Sequence, residues 1–242
     1  MAHISRHELK QDQLRTTYEE FEEFFKKKYR EILTVVSIAV VVGGLAGGLK
    51  IYQARQEAEA NRQLATALRT FLAYVGPASQ VNAMPGRQSF PTAQTKYKKA
   101  LEQFQEVIQK HARFPQPKAT EIARYHVGLC QAQLGERDAA MKTLQDAARS
   151  SDRELAALAQ FALAGELVKA GKIDDAAKIY NELASRPTST MPEATARLAL
   201  ADAYRSTQPA KARAIYQQLE RQFGSDVTIG QVLKEQLASL PK

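Results

Sequence analysis

The segment GKIDDAAKIYNELA, residues 171–184, is one of three similar stretches that decide the fold. The other two are GERDAAMKTLQDAA at 135–148 and QPAKARAIYQQLE at 208–220. An alanine shared by all three recurs every 36 residues, at Ala140, Ala176 and Ala212. A second shared position, occupied by leucine or tyrosine, has the same spacing, at Leu144, Tyr180 and Tyr216. Because a fixed period of about 34 residues is typical of stacked helix pairs, the repeats predict an all-α solenoid.

Each of these segments is predicted to be the second helix, B, of a pair whose first helix, A, precedes it. Small residues stand at equivalent positions of the three A-helices, at Gly128, Ala164 and Ala201. Small side chains let the two helices of a pair pack closely. Gly135 and Gly171 supply the tight turns of the first two pairs, whereas the third turn, at Gln208-Pro209, has no glycine.

An earlier B-helix is predicted in YKKALEQFQEVIQKHARFP, residues 97–115. There Ala100 and Phe104 have the same separation as Ala140 and Leu144. Its A-helix is expected at 55–75, with a loop lengthening the step between the repeats. The sequence therefore predicts about three and a half helix-pair repeats.

Composition agrees with a helical, globular chain. Of the 242 residues, 44% are hydrophobic and 25% charged, which is typical of folded domains rather than of disordered chains. Cys130 is the single cysteine, so neither an intramolecular disulfide nor a thiolate metal cluster is available.

A separate segment, ILTVVSIAVVVGGLAGGL at 32–49, has no charged residue over 18 positions. As a helix it rises about 27 Å, and with its flanks it spans a hydrocarbon core of about 30 Å. A cleaved signal peptide would need a short basic leader, whereas 31 residues precede this core and seven of them are acidic. We therefore expect one retained transmembrane helix at 32–52.

The flanking charges predict how this helix is oriented. Basic residues crowd its N-terminal side, at Lys26, Lys27, Lys28 and Arg30. Basic residues mark the cytoplasmic side of membrane helices. Aromatic residues typical of the membrane interface flank it, at Phe24, Phe25, Tyr29 and Tyr52. The N-terminus is expected to be cytoplasmic and residues 53–242 to lie outside the cytoplasm.

The remaining boundaries follow from the local pattern. Residues 1–31 are expected to form a cytoplasmic amphipathic helical segment that runs into the membrane. Residues 53–75 are expected to continue as an extended helix leading from the membrane. A loop is predicted at 76–92, because GPASQVNAMPGRQSFP holds three prolines and two glycines. The repeat domain occupies 93–242.

Small residues line one side of the predicted membrane helix, at Ala39, Gly43, Gly44, Gly47 and Gly48. Such a side allows a second helix to approach closely, either a copy of this helix or a subunit of another complex. The alternative is that glycine is simply more frequent in membrane helices than in soluble ones. The sequence leaves both interpretations open.

The repeat pattern resembles the tetratricopeptide repeat, although the tryptophan of its consensus is absent. The whole layout resembles the YfgM-like ancillary subunits of the bacterial Sec translocon. This resemblance implies a periplasmic repeat domain anchored in the inner membrane. It also implies association with the SecYEG channel, with a membrane-anchored periplasmic chaperone, PpiD, and with secretory clients. The runner-up interpretation is a structural subunit of another inner-membrane complex, respiratory or cell-wall.

No residue pattern indicates catalysis or a cofactor. The sequence lacks GxSxG, HExxH and a phosphate-binding glycine-rich loop. His126 and Cys130 are four residues apart, but no third metal ligand has a recognisable spacing. The net charge of +8 is dispersed among acidic neighbours, which favours a solvated surface over nucleic-acid binding. We expect a non-enzymatic protein without a metal or cofactor.

The A-helices of tetratricopeptide stacks line a concave face, which is the candidate partner-binding groove. Its predicted residues are Tyr125, Leu129, Phe161, Val168, Leu198, Asp202 and Arg205. Aromatic and aliphatic side chains beside an arginine suit an extended or helical segment of a partner. Alternatively, Tyr125 and Phe161 pack between repeats, and the sequence leaves both interpretations open.

Overall fold

The computed structural model describes residues 6–76, 88–112 and 116–240. Within these ranges two strands of two residues each, β1 (Tyr74–Val75) and β2 (Ser89–Phe90), accompany the helices. The helices are α1 (Arg6–Phe71), α2 (Ala93–Lys110), α3 (Lys118–Gln133), α4 (Arg137–Ala147), α5 (Arg153–Lys169), α6 (Ile173–Ser185), α7 (Glu193–Tyr204), α8 (Pro209–Phe223) and α9 (Val227–Ser239). The prediction of an all-α fold is confirmed.

The chain divides between Arg55 and Gln56 into two compact units. In the first unit, large apolar side chains of α1 are exposed, among them Val35, Val40 and Leu45. From Lys28 onward, α1 is long and apolar enough to cross a membrane. Burying a side chain of this size is worth about 1.5–3 kcal/mol. The exposed surface is therefore much more stable in an apolar surrounding than in water.

The second unit is a row of helix pairs. Each helix from α2 to α8 packs against the helix that follows it along the chain, so that the row ends at α9. Ala60, Leu64 and Ala67 of α1 share a core with Phe104 of α2 and Ala123 of α3. The distal part of α1 is thus the A-helix of the first pair. The described residues form four pairs and a final helix, where the sequence indicated about three and a half repeats.

Close contact between the helices of a pair follows from the small residues. A Cβ on Gly128 of α3 would lie 2.7 Å from Cγ of Leu144 on α4. Ala164 and Ala201, at the equivalent positions, are fully buried. Gly135 and Gly171 have φ of +82° and +76°, which side-chain-bearing residues adopt at a cost. The predicted roles of these glycines in packing and in the turns are confirmed.

The structure differs from the predicted boundaries at the end of α1. The helix ends at Phe71 instead of residue 75, because the chain then enters a parallel bridge between β1 and β2. Tyr74 N–H donates to the carbonyl oxygen of Gln88 at 3.3 Å, and Gly76 N–H donates to that of Phe90 at 2.9 Å. Residues 77–87 of the predicted loop, residues 1–5, and the side chains of Phe24 and Phe25 lie outside the described residues.

Candidate protein-binding surface

The seven predicted groove residues lie on three A-helices and one helix end. Tyr125 and Leu129 are on α3, and Phe161 and Val168 are on α5, which packs against α3. The remaining three, Leu198, Asp202 and Arg205, follow one another along α7 and its C-cap. Asp202 is exposed, and the other six are half-buried. Each of the seven therefore retains some accessible surface.

Several of these side chains also contribute to packing within the repeats. The ring of Phe161 meets that of Tyr180 on α6 edge to face, with centroids 5.5 Å apart. Val168 packs against the same buried cluster as Phe161, and Leu198 against the cluster formed by α7, α8 and α9. Phe161 thus packs within its own helix pair, while part of its surface stays accessible.

Asp202 and Arg205 have partners inside the repeat domain. Tyr216 Oη on α8 donates to Asp202 Oδ1 at 2.5 Å, and Arg205 Nη1 lies 3.9 Å from the same oxygen. Arg205 Nη2 in turn donates to Ser239 Oγ on α9 at 3.0 Å. Burial and the hydrogen bond to Asp202 raise the pKa of Tyr216. These polar side chains join α7, α8 and α9, a role that sequence reasoning missed.

The candidate metal pair belongs to a packed aromatic cluster. The imidazole of His126 stacks on Phe104 at a centroid distance of 5.0 Å and meets Phe71 edge-on at 5.3 Å. Burial lowers the pKa of His126, whose Nδ1 lies 2.9 Å from the carbonyl oxygen of Ile122. Cys130 is buried, and burial raises the pKa of its thiol to about 12. No group of three or more potential metal ligands occurs among the described side chains.

Glu154, which the sequence did not single out, holds a loop in place. Its Oε2 accepts hydrogen bonds from Thr190 N–H at 2.9 Å and from Thr190 Oγ1 at 2.7 Å. Its Oε1 accepts one from Ser189 N–H at 3.2 Å. These bonds, Thr190 foremost, lower the pKa of Glu154 to about 2. The carboxylate fixes the connection between α6 and α7 at the N-terminal end of α5.

The small-residue side of α1 is open. A Cβ added at Gly43, Gly44, Gly47 or Gly48 would meet no other heavy atom within 4 Å, apart from the chain neighbours and the helix's own backbone. Neighbouring Val42 and Leu45 are mostly exposed. The backbone there is accessible to a second helix, as close helix–helix packing requires.

Stacked helix pairs with a partly exposed row of A-helix side chains define a helical-repeat protein, a class whose surfaces bind other proteins. The tetratricopeptide-repeat family model matches residues 93–157 and 161–227, which together are more than half of the chain. The chain belongs to the tetratricopeptide-repeat family. No curated protein and no solved structure matches it. Tetratricopeptide repeats typically serve as non-catalytic scaffolds for protein–protein interaction.

Proposed function

We propose that this protein is a non-enzymatic, membrane-anchored scaffold of the cell envelope, ancillary to the Sec export channel. It recruits membrane-anchored periplasmic chaperones or holds emerging secretory clients. One observation carries the proposal: the same chain joins an exposed apolar helix to a tetratricopeptide-repeat stack. The layout resembles the YfgM-like ancillary subunits of the translocon, and that resemblance suggests the partners.

Anchoring is supported by the sequence and the exposure of α1. Between Leu33 and Leu49 the chain has no charged residue, and the side chains described there are almost all exposed. Insertion into lipid gains a few tenths of a kcal/mol for each Ile, Leu and Val at the centre of a membrane helix. The positive charges at Lys28 and Arg30 precede this segment and favour a cytoplasmic N-terminus. The anchor then lies in the inner membrane, and the repeat domain lies in the periplasm.

A binding role is supported by the A-helix surface, the seven candidate residues on α3, α5 and α7, and the state of Cys130 agrees with a role without thiol catalysis. Tyr125, Leu129 and Phe161 leave part of their apolar surface accessible on two packed helices. Aromatic side chains of this kind provide much of the binding energy at protein interfaces. Cys130, the sole thiol of the chain, is buried and protonated at neutral pH, so it is a poor nucleophile.

Affinity purification of the full chain in mild detergent tests this function. We expect subunits of the export channel and a membrane-anchored chaperone to be recovered together with the tagged protein. The test variant keeps α1 but carries Leu129→Asp and Phe161→Ser on the A-helix surface. Its folding is checked by circular dichroism, and the wild-type protein is the reference. Recovery of the same partners with that variant would contradict a role for the A-helix surface.

The second candidate function is a structural or assembly subunit of another inner-membrane complex, respiratory or cell-wall. It is favoured by one observation, the unobstructed backbone at Gly43 and Gly47. A glycine side of this kind suits intramembrane association with a neighbouring subunit or with a second copy. Recovery of respiratory or cell-wall subunits without translocon subunits, in the same purification, would support this candidate and contradict the first.

A further inference from the structure

The first repeat contains an apolar groove that shares no lining residue with the A-helix surface on α3, α5 and α7. We call it the first-repeat groove; it has a volume of about 720 Å³, which is within the range of ligand-binding clefts in proteins. Its lining residues are Ala65, Leu68, Arg69, Leu72, Ala73, Tyr74 and Gln88. Ala65, Leu68 and Arg69 lie at helical spacing on one side of α1, and Leu72 follows the end of that helix. The other lining residues belong to the chain around β1 and β2.

Large apolar groups in the first-repeat groove are exposed. Leu72 retains 76% of its accessible surface and Tyr74 retains 46%. By contrast, Leu64 and Ala67 on another side of the same helix are buried in the core. The small side chains of Ala65 and Ala73 leave room between the larger ones. An apolar segment placed here would cover surface that now contacts water.

Two polar side chains in the groove have hydrogen-bonding capacity to spare. Arg69 is exposed in the last turn of α1, and no partner for its guanidinium occurs among the described residues. Gln88 accepts a hydrogen bond from Thr70 Oγ1 at 3.2 Å through Oε1, so its amide N–H groups remain available as donors. An arginine offers bidentate hydrogen bonds to a carboxylate, and an amide donor suits a peptide carbonyl.

The charge of the groove limits the kind of partner. Arg69 is the one charged side chain among the described residues that line it. Arg62 is paired with Glu59 at 3.2 Å. One unpaired cation suits a single carboxylate, whereas nucleic acids and anionic lipid surfaces are bound by clusters of basic residues.

We propose that the first-repeat groove binds an apolar protein segment carrying one carboxylate, which pairs with Arg69. Apolar side chains of the segment rest on Leu68, Leu72 and Tyr74, and a backbone carbonyl accepts a hydrogen bond from Gln88. The proposal rests on the proposed function only in requiring that the repeat domain bind protein segments. The groove gives the scaffold a second contact, distinct from the A-helix surface.

A peptide-retention experiment tests the proposal with the full chain immobilised in detergent micelles. The probe is an equimolar library of octapeptides built from Leu, Val, Phe and Ala, with Glu, Gln or Lys at one central position. Mass spectrometry measures which peptides are retained. We expect Glu peptides to be retained about three- to fivefold better than their Gln counterparts, as for an exposed ion pair.

Variants assign that preference to the groove. Arg69→Gln is expected to remove it, and Leu72→Ser to lower retention of all peptides at least fivefold. Both positions are exposed, so the fold is expected to persist. The matched control is Arg62→Gln, two turns earlier on the same helix, which is expected to keep the preference. Equal retention of Glu and Gln peptides by the wild type, or an unchanged preference in Arg69→Gln, would overturn the proposal.

Two further outcomes identify a different occupant and would also overturn it. If phosphatidylglycerol added to the micelles displaces the Glu peptides, the site binds lipid headgroups. If replacing Val81 and Met84 with serine raises peptide retention tenfold, the chain's own segment occupies the groove. Failure of this proposal is distinguishable from failure of the proposed function. Affinity purification tests the proposed function through recovery of export subunits, and that result does not depend on any peptide preference of the groove.

Discussion

At the scale of single residues, Gly128 marks a close contact between the two helices of a pair. A Cβ there would lie 2.7 Å from Cγ and 2.8 Å from Cδ2 of the buried Leu144. The sequence identified Gly128 from its place in the repeat, without any knowledge of the distance. The period was sufficient because small residues recur at the equivalent positions of the next two pairs, where Ala164 and Ala201 are fully buried.

Gly128→Ala is predicted to destabilise the repeat domain. Alanine gains about 1 kcal/mol of helix propensity, but overpacking a core costs about 1–3 kcal/mol. We expect a net loss, measured as a lower urea midpoint of unfolding. Leu144→Ala alone should cost about 2–5 kcal/mol. Because Leu144→Ala removes the group that clashes, the double variant should lose less than the sum of the two single losses, and strict additivity would contradict the contact.

Glu154 gives the stability a dependence on pH. Its pKa is about 2 in the folded chain and about 4.5 ordinarily. Since the folded pKa is the lower one, its contribution is complete above about pH 4.5 and is lost as the pH falls toward 2. We predict that Glu154→Gln lowers the urea midpoint at pH 7, and that its difference from the wild type shrinks between pH 4.5 and 2. Asp175→Asn, which removes an exposed pair with Lys178, is the control and should have little effect.

At the scale of helices and turns, two glycines allow the same substitution to be compared in opposite settings. Gly171 has φ of +76° in the turn before α6, whereas Gly165 is inside α5 and a Cβ there would be 4.0 Å from Tyr180 Oη. Gly171→Ala is predicted to cost about 1–2 kcal/mol because of the left-handed backbone. Gly165→Ala is predicted to stabilise by about 0.5–1 kcal/mol. Denaturant unfolding measures both, and equal effects would contradict the turn assignment.

The glycine side of α1 gives a second prediction at this scale. Gly43→Ile with Gly47→Ile should preserve membrane insertion, because both changes add apolar surface. The added side chains should hold a neighbouring helix away, with a loss of about 1–2 kcal/mol and a several-fold lower recovery of partners. Val35→Ile with Val42→Ile, on another side of the helix, is the control. Wild-type recovery with the glycine variant would assign association to the repeat domain or the N-terminal segment.

The sequence predicted helix pairs better than their ends. Helical periodicity is local, so the A- and B-helices could be placed from the spacing of alanines and aromatic residues. The end of α1 was misplaced by four residues because Tyr74 pairs with Gln88, fourteen positions away, and no local pattern encodes that bridge. The same limit applies to Asp202 and Arg205. Their partners Tyr216 and Ser239 are 14 and 34 residues distant, so the spacing that placed them on a binding face did not reveal their internal bonds.

At the scale of the whole molecule, the chain combines two properties that its sequence shows separately. The apolar segment predicts an anchor, and the repeat predicts a protein-binding stack. The repeat region belongs to the tetratricopeptide-repeat family. Membership can be recognised because the spacing of small and large residues is a property of the fold. The partners are a matter of surface chemistry, which varies among proteins that share this architecture. For that reason the export channel remains a proposal drawn from the resemblance.

The most direct test of the central claim is photocrosslinking in intact cells. A benzophenone amino acid is placed at Leu129 or at the exposed Asp202, with Lys234 on α9 as the control position. The account predicts crosslinks from the first two positions to export-channel subunits, a periplasmic chaperone or secretory clients, and few from the control. Crosslinks confined to cytoplasmic proteins, or equal in kind and amount at all three positions, would contradict it.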